Sequence, residues 1–167
     1  MRLFIAINMS DGALRALASM QDKMRAAGVR GNYTKTENFH ITLAFIGEYP
    51  DADLVTDALE RVRFKSFDIS LDGVGSFGSL WWAGLSSSEE LRTLARRVRH
   101  ALADAGIPFD RKKFSPHITL IRQPDKDTIP PLTVPEATMT VDGISLMRSD
   151  RGKSGVVYTE ISYIKSE

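Results

Sequence analysis

Apolar positions recur along this chain with two periods. Residues 3–7 form an unbroken apolar run whose shortness predicts a strand. Leu14, Leu17, Ala18, Gln21 and Met24 then follow at helical spacing, with Ser10 or Asp11 as cap and Gly28 as terminator. Residues 33–35 suit a short strand, and residues 39–46 are apolar and β-branched, a strand pattern. A turn over 47–53 contains Pro50, and Leu54, Val55, Ala58, Leu59 and Val62 mark a second helix. Phe67, Ile69 and Leu71 alternate as a strand, and Gly73, Gly75 and Gly78 predict a loop after it. Residues 80–85 read as strand. Leu91, Leu94, Ala95, Val98 and Leu102 give the clearest helix, with caps among Ser86, Ser87 and Ser88 and a stop at Gly106 and Pro108. Residues 115–121 read as another strand, and 123–135, polar and proline-rich, as an irregular connection. Met139, Val141, Ile144 and Leu146 predict one strand with an irregularity at Gly143. Val157, Thr159, Ile161 and Tyr163 alternate as the last strand, after a flexible basic loop over 148–155.

Two of these strands share a tetrapeptide. His40-Ile41-Thr42-Leu43 returns as His117-Ile118-Thr119-Leu120, and two of the three histidines in the chain open it. With three histidine pairs and three following matches at about 7% each, chance gives roughly one in a thousand. Side chains alternate along a strand, so each copy sets an imidazole and a hydroxyl on one face and two aliphatics on the other. The copies lie 77 residues apart, and the same offset lays residues 3–7 on residues 80–84 and Leu14 and Leu17 on Leu91 and Leu94. Strand, helix and motif strand thus recur in one order. The pattern predicts an internal duplication within residues 1–167, read as one bilobal domain, with a pseudo-twofold bringing both motifs to a central cleft.

Composition narrows the chemistry. Hydrophobic residues make up 43% and charged residues 26% of the chain, an ordinary globular balance, and the formal net charge is +1. Bulk electrostatics therefore do not recruit a polyanion, and any anionic ligand is held by local groups. The absence of cysteine excludes disulfides, thiolate nucleophiles and cysteine zinc sites, and it fits a reducing cytoplasm. No stretch approaches transmembrane length, and the N-terminus is too short an apolar run for a signal peptide, so no membrane partner is expected.

A histidine pair can divide proton transfer, one imidazole accepting while one imidazolium donates. Displacement at a phosphodiester suits it, because the nucleophile must be activated and the leaving oxygen protonated. The threonine hydroxyls can bond the non-bridging oxygens. This scheme needs no metal or other cofactor. A metal site is the sharpest competitor, but neither motif carries a His-x-x-x-His spacing or a carboxylate cluster to supply a third ligand. His100, late in a helix and outside any motif, reads as a bystander. Strict alternation puts Arg122 opposite His117 and Thr119, so it reaches the site only if the strand ends or bulges there. Arg111, Lys112 and Lys113 read first as a solvated charge run. One of Trp81 and Trp82 is expected in the core.

The doubled His-x-Thr segments resemble the two-histidine phosphoesterase superfamily, and more closely its RNA 2′,3′-cyclic phosphodiesterases, also called 2′-5′ RNA ligases. The resemblance extends to Arg2-Leu3-Phe4-Ile5-Ala6, to Asn38-Phe39 before the first motif and Phe45-Ile46-Gly47-Glu48 after it, to Leu80-Trp81-Trp82-Ala83-Gly84-Leu85, and to Phe114-Ser115-Pro116 before the second motif with Arg122 beyond it. It implies an α+β fold of two pseudo-symmetric antiparallel sheets flanked by helices around a central cleft. It implies hydrolysis of 2′,3′-cyclic phosphate ends to 2′-phosphomonoesters, with reversible 2′-5′ RNA ligation beside it. It casts His40 as proton donor to the leaving 3′ oxygen and His117 as the base that activates water, with Thr42, Thr119 and Arg122 binding phosphate. The implied substrates are RNA ends such as tRNA fragments. Small cyclic phosphates, nucleoside or ADP-ribose, are the alternative, as is a non-catalytic RNA-end binding protein. A cytoplasmic monomer is expected.

Overall fold

The computed structural model describes residues 1–167. The elements are β1 (Arg2–Asn8), α1 (Asp11–Ala26), β2 (Asn32–Tyr33), β3 (His40–Glu48), α2 (Ala52–Leu59), β4 (Phe67–Phe77), β5 (Leu80–Leu85), α3 (Glu89–Asp104), β6 (Ile118–Arg122), β7 (Thr138–Val141), β8 (Gly143–Gly152) and β9 (Gly155–Lys165). They build an α+β fold of two antiparallel sheets, one in the order β3-β1-β8-β9 and one in the order β2-β6-β5-β4-β7. Each sheet therefore carries one motif strand, and residues 123–135 hold no regular element, as their composition predicts. No helix is long and apolar enough to cross a membrane.

The helices form where the periodicity and caps place them. The Ser10 hydroxyl accepts from the Ala13 N–H at 3.2 Å, and the Ser88 hydroxyl from the Leu91 N–H at 3.1 Å. Leu17, Met20 and Met24 of α1 and Leu91, Ala95, Val98 and Leu102 of α3 turn into one core that runs through both sheets. Yet α1 lies against β6 and β7, and α3 against β3. Each long helix thus covers the back of the motif strand that belongs to the other half of the sequence.

The offset between the halves is not uniform. The capping serines and the buried helix positions correspond at 78 residues. Ala6 faces Thr42 as Trp82 faces Thr119, so β1 and β5 correspond at 76, and only the motifs correspond at 77. A constant 77 therefore pairs Leu17 with Leu94, where the burial pattern pairs it with Ala95.

Three predicted loops or strands take another form. Gly73 and Gly75 lie inside β4, which continues to Phe77 across an irregularity between Leu71 and Val74. Gly75 sits directly opposite Trp82, and a Cβ there would collide with the indole. Residues 139–146 are two strands, not one: β7 pairs with β4, whereas β8 pairs with β1 in the other sheet. The chain crosses at Asp142, and Gly143 leaves room for the Tyr163 ring packed on it. Finally, Arg148, Ser149, Asp150 and Arg151 are ladder residues of the β8–β9 hairpin, whose turn is confined to Lys153 and Ser154.

Candidate active site

The two motif strands meet at one cleft of about 640 Å³, where His40, Thr42, His117 and Thr119 all line the wall. Their neighbours Ile41, Leu43, Ile118 and Leu120 are fully buried on the opposite face, as alternation predicts. The rings are held alike. His40 Nδ1 lies 2.7 Å from the Asn38 carbonyl oxygen, and His117 Nδ1 lies 2.7 Å from that of Ser115. A carbonyl only accepts, so each Nδ1 carries the proton and leaves Nε2 as the atom that exchanges protons. His40 Nε2 is 2.9 Å from the Thr42 hydroxyl oxygen.

Each imidazole also packs against a pair of aromatic rings that touch each other. Phe4 and Tyr158 lie 5.0 and 5.3 Å from His40, and Phe77 and Trp82 lie 5.0 and 6.5 Å from His117, between ring centroids. Burial holds His40 below the ordinary imidazole pKa. The bond to the Asn38 carbonyl opposes this shift, and the nearby charges of His117 and Arg122 add to it. Burial likewise raises the Tyr158 phenol, which keeps its proton near neutrality.

Arg122 lines the same cleft, although strict alternation assigns it to the other face. The reason is a β-bulge. Trp81 pairs with Ile121 and Trp82 with Thr119, so Leu120 is an extra residue in the ladder. Leu120 and Ile121 are both buried, and the next side chain, Arg122, emerges beside Thr119. The first motif repeats the device. Ile5 pairs with Ala44 and Ala6 with Thr42, leaving Leu43 extra, with Leu43 and Ala44 buried and Phe45 turned into the cleft.

Residues 14–153 match the family model described as the 2′-5′ RNA ligase superfamily. This chain belongs to that superfamily. It is 31% identical over 166 residues to an RNA 2′,3′-cyclic phosphodiesterase of Aeropyrum pernix, covering 90% of this chain and 94% of the relative. It is 29% identical over 172 residues to one of Thermotoga maritima, covering 95% and 91%. The crystal structure of E. coli LigT complexed with 3′-AMP matches with a TM-score of 0.84 at 26% identity, covering 99% of this chain and 96% of that one.

Around the paired residues, this member of the 2′-5′ RNA ligase superfamily adds groups that sequence reading did not single out. Arg2 stacks over Phe45 at 4.6 Å, and Arg151 and Asp150 reach the cleft from the β8–β9 hairpin. Asp150 is engaged by Arg148, Nε to Oδ2 at 3.0 Å. Arg2, Arg122 and Arg151 therefore leave the cleft predominantly positive, suited to an anion. Arg2 and Phe4 belong to the segment that carries the resemblance, but period alone gave no reason to aim them at the motif. Tyr158 alternates on β9 and was visible only as a strand residue.

The remaining candidates lie elsewhere. His100 is exposed, 3.2 Å from Asp104, beside a groove of about 650 Å³ lined by Arg61, Arg63, Arg96 and Arg97. That groove is as large as the cleft but holds none of the paired residues, so size does not mark the site. Arg111, Lys112 and Lys113 are exposed, Arg111 stacking on Phe109. Trp81 is buried and Trp82 half-buried. No group of three or more His, Cys, Asp and Glu side chains is arranged to hold a metal ion.

Proposed function

We propose that this chain is an RNA 2′,3′-cyclic phosphodiesterase that opens the cyclic phosphate to a 2′-phosphomonoester with its own side chains alone. The observation that carries the reading is the convergence of two imidazoles and two hydroxyls, from different sheets, on one positive cleft. In the reaction, His117 Nε2 takes a proton from water as the water oxygen bonds to phosphorus. The bond from phosphorus to the 3′ oxygen breaks, and protonated His40 gives its proton to that oxygen. Thr42, Thr119 and Arg122 bond the non-bridging oxygens, where charge accumulates. The products are a free 3′-hydroxyl and a 2′-phosphate, and 2′-5′ ligation follows the same path with a 5′-hydroxyl in place of water as the nucleophile, the P–O3′ bond breaking as before. His40 is neutral in the empty cleft by the cause given above. The anionic substrate favours its charged form, so binding arms the acid.

The names of the relatives and the positive cleft support RNA ends as substrate, and tRNA fragments are the RNA ends we propose. The open cleft also admits small cyclic nucleotides. We further read the chain as one bilobal unit made by internal duplication, acting as a cytoplasmic monomer. The repeated cap and bulge positions support the duplication. The test is incubation in chelator with oligoribonucleotides and mononucleotides ending in 2′,3′-cyclic phosphate, with the product position determined. Expected is a 2′-phosphate under chelation. Activity that vanishes in chelator and returns with one divalent ion would overturn the metal-free scheme, and no turnover of either substrate would leave an RNA-end binding protein.

A further inference from the structure

Gln21 is one of only two buried polar side chains, 3% exposed in the middle of α1, and the reaction scheme gives it no part. Its amide donates to two carbonyls, Leu120 at 2.9 Å and Thr34 at 2.8 Å. Leu120 is the bulged residue of the second motif strand, and Thr34 lies on the approach to His40. Arg99 of α3 occupies the corresponding position at the 78-residue spacing of the helices. Its Nε donates to the Leu43 carbonyl at 3.1 Å and its Nη1 to the Lys112 carbonyl at 2.6 Å. Leu43 is the bulged residue of the first motif strand, and Lys112 lies on the approach to His117. Each helix therefore ties the bulge of one motif to the segment that delivers the other histidine. The side chains differ, one a neutral amide and one a guanidinium, but both present two donors to two backbone oxygens.

The bulges matter because they aim the site. A ladder without the extra residue at Leu120 would send Arg122 to the opposite face, since a one-residue slip inverts every side chain beyond it. The Leu120 carbonyl already accepts from the Thr34 N–H at 3.0 Å, so Gln21 fills its second lone pair and bonds both ends of the contact between the bulge and the Thr34 segment. We infer that Gln21 and Arg99 are positioning residues, a pair of crossed clamps that hold the two bulges and thereby set Arg122, Phe45 and the two histidines in register with one another. The inference rests on the phosphodiesterase reading of the cleft.

The test is a double-mutant cycle on cyclic-phosphate hydrolysis with Gln21→Met and Arg122→Ala. Methionine keeps the length and fills the site but donates nothing. With Arg122 present, Gln21→Met is expected to lower kcat by roughly tenfold to a hundredfold, the scale of a misplaced site group. With Arg122→Ala already in place, the same change is expected to cost less, because one of the groups it aims is gone. Equal fold losses in both backgrounds, or no loss in either, would overturn the positioning role and leave the phosphodiesterase reading standing. Full turnover in Arg122→Ala alone would overturn the phosphate role of Arg122 and this inference with it. Arg99→Met is the second variant, at a half-buried position near Phe109 and Phe114. Its kcat is expected to fall in the same range with its urea midpoint little moved, and an unchanged kcat would overturn the crossed arrangement.

Discussion

Valine in place of each threonine separates two roles that the cleft assigns to the hydroxyls. Thr42→Val and Thr119→Val keep the shape and the β-branched strand preference, so the ladder is undisturbed. Each loses one donor to a non-bridging oxygen. A single donor of that kind is worth about 3 kcal/mol, and at 1.36 kcal/mol per decade the chemical step slows by roughly a hundredfold or more. The two variants differ in stability. Thr42 loses its 2.9 Å bond to His40 Nε2, worth about 1 kcal/mol, while the structure shows no such bond from Thr119 to His117. In a chain of this length that lowers Tm by roughly 3 °C for Thr42→Val and leaves Thr119→Val near the parent. Single-turnover hydrolysis with enzyme in excess gives the first quantity, and thermal melts at fixed pH give the second. Parental rates in both variants would reduce the threonines to strand formers. A larger Tm loss in Thr119→Val would contradict the bonding asymmetry.

His40→Ala and His117→Ala are each expected to lower hydrolysis by orders of magnitude, and a substrate with a highly acidic leaving group should rescue His40→Ala far more. Preferential rescue of His117→Ala would exchange the two roles. Because burial lowers the His40 pKa, the free enzyme loses the donor proton below the ordinary imidazole range, so the alkaline limb of kcat/KM is expected there. The bound anion favours imidazolium, so the alkaline limb of kcat lies at higher pH; coincident limbs would count against His40 as the acid. Gly75→Ala forces a Cβ into Trp82, beside His117, and is expected to destabilise by about 1–3 kcal/mol, seen as a lower urea midpoint. An unchanged midpoint would mean that the indole moves aside freely.

The repeated His-x-Thr segments, the short apolar runs and the 3.6-residue stripes of α1 and α3 were legible because each is a local pattern with a local cause. Arg122 was not. Its direction depends on Leu120 standing outside the ladder, and nothing in Leu120-Ile121-Arg122 distinguishes a bulge from regular alternation. β7 and β8 read as one strand because apolar alternation is continuous across Asp142 and Gly143, while the change of sheet is a matter of which partner each side finds. The glycines of β4 signal conformational freedom in any context, and only Trp82 packed over Gly75 shows that one of them is spacing a ring. The β8 arm of the hairpin, Arg148-Ser149-Asp150-Arg151, is polar on both faces, so it left no hydrophobic trace of its pairing with Val156, Val157 and Tyr158. The aromatic flanks of the histidines come from four separate segments, which alternation can orient but cannot bring together.

The crossing of the helices has a consequence for how the molecule comes apart. Ile41 and Leu43 are covered by a helix some fifty residues downstream, and Ile118 and Leu120 by one about a hundred residues upstream. Neither half of the sequence can bury the reverse side of its own motif strand, so neither is a folding unit by itself. The chain must close these distant contacts together, which makes for slow, all-or-none assembly. The acid and the base therefore arrive and depart in one step. A population of molecules that retains one histidine in place while the other half is unravelled has no structure to rest on, and neither half produced alone is expected to keep a half-site.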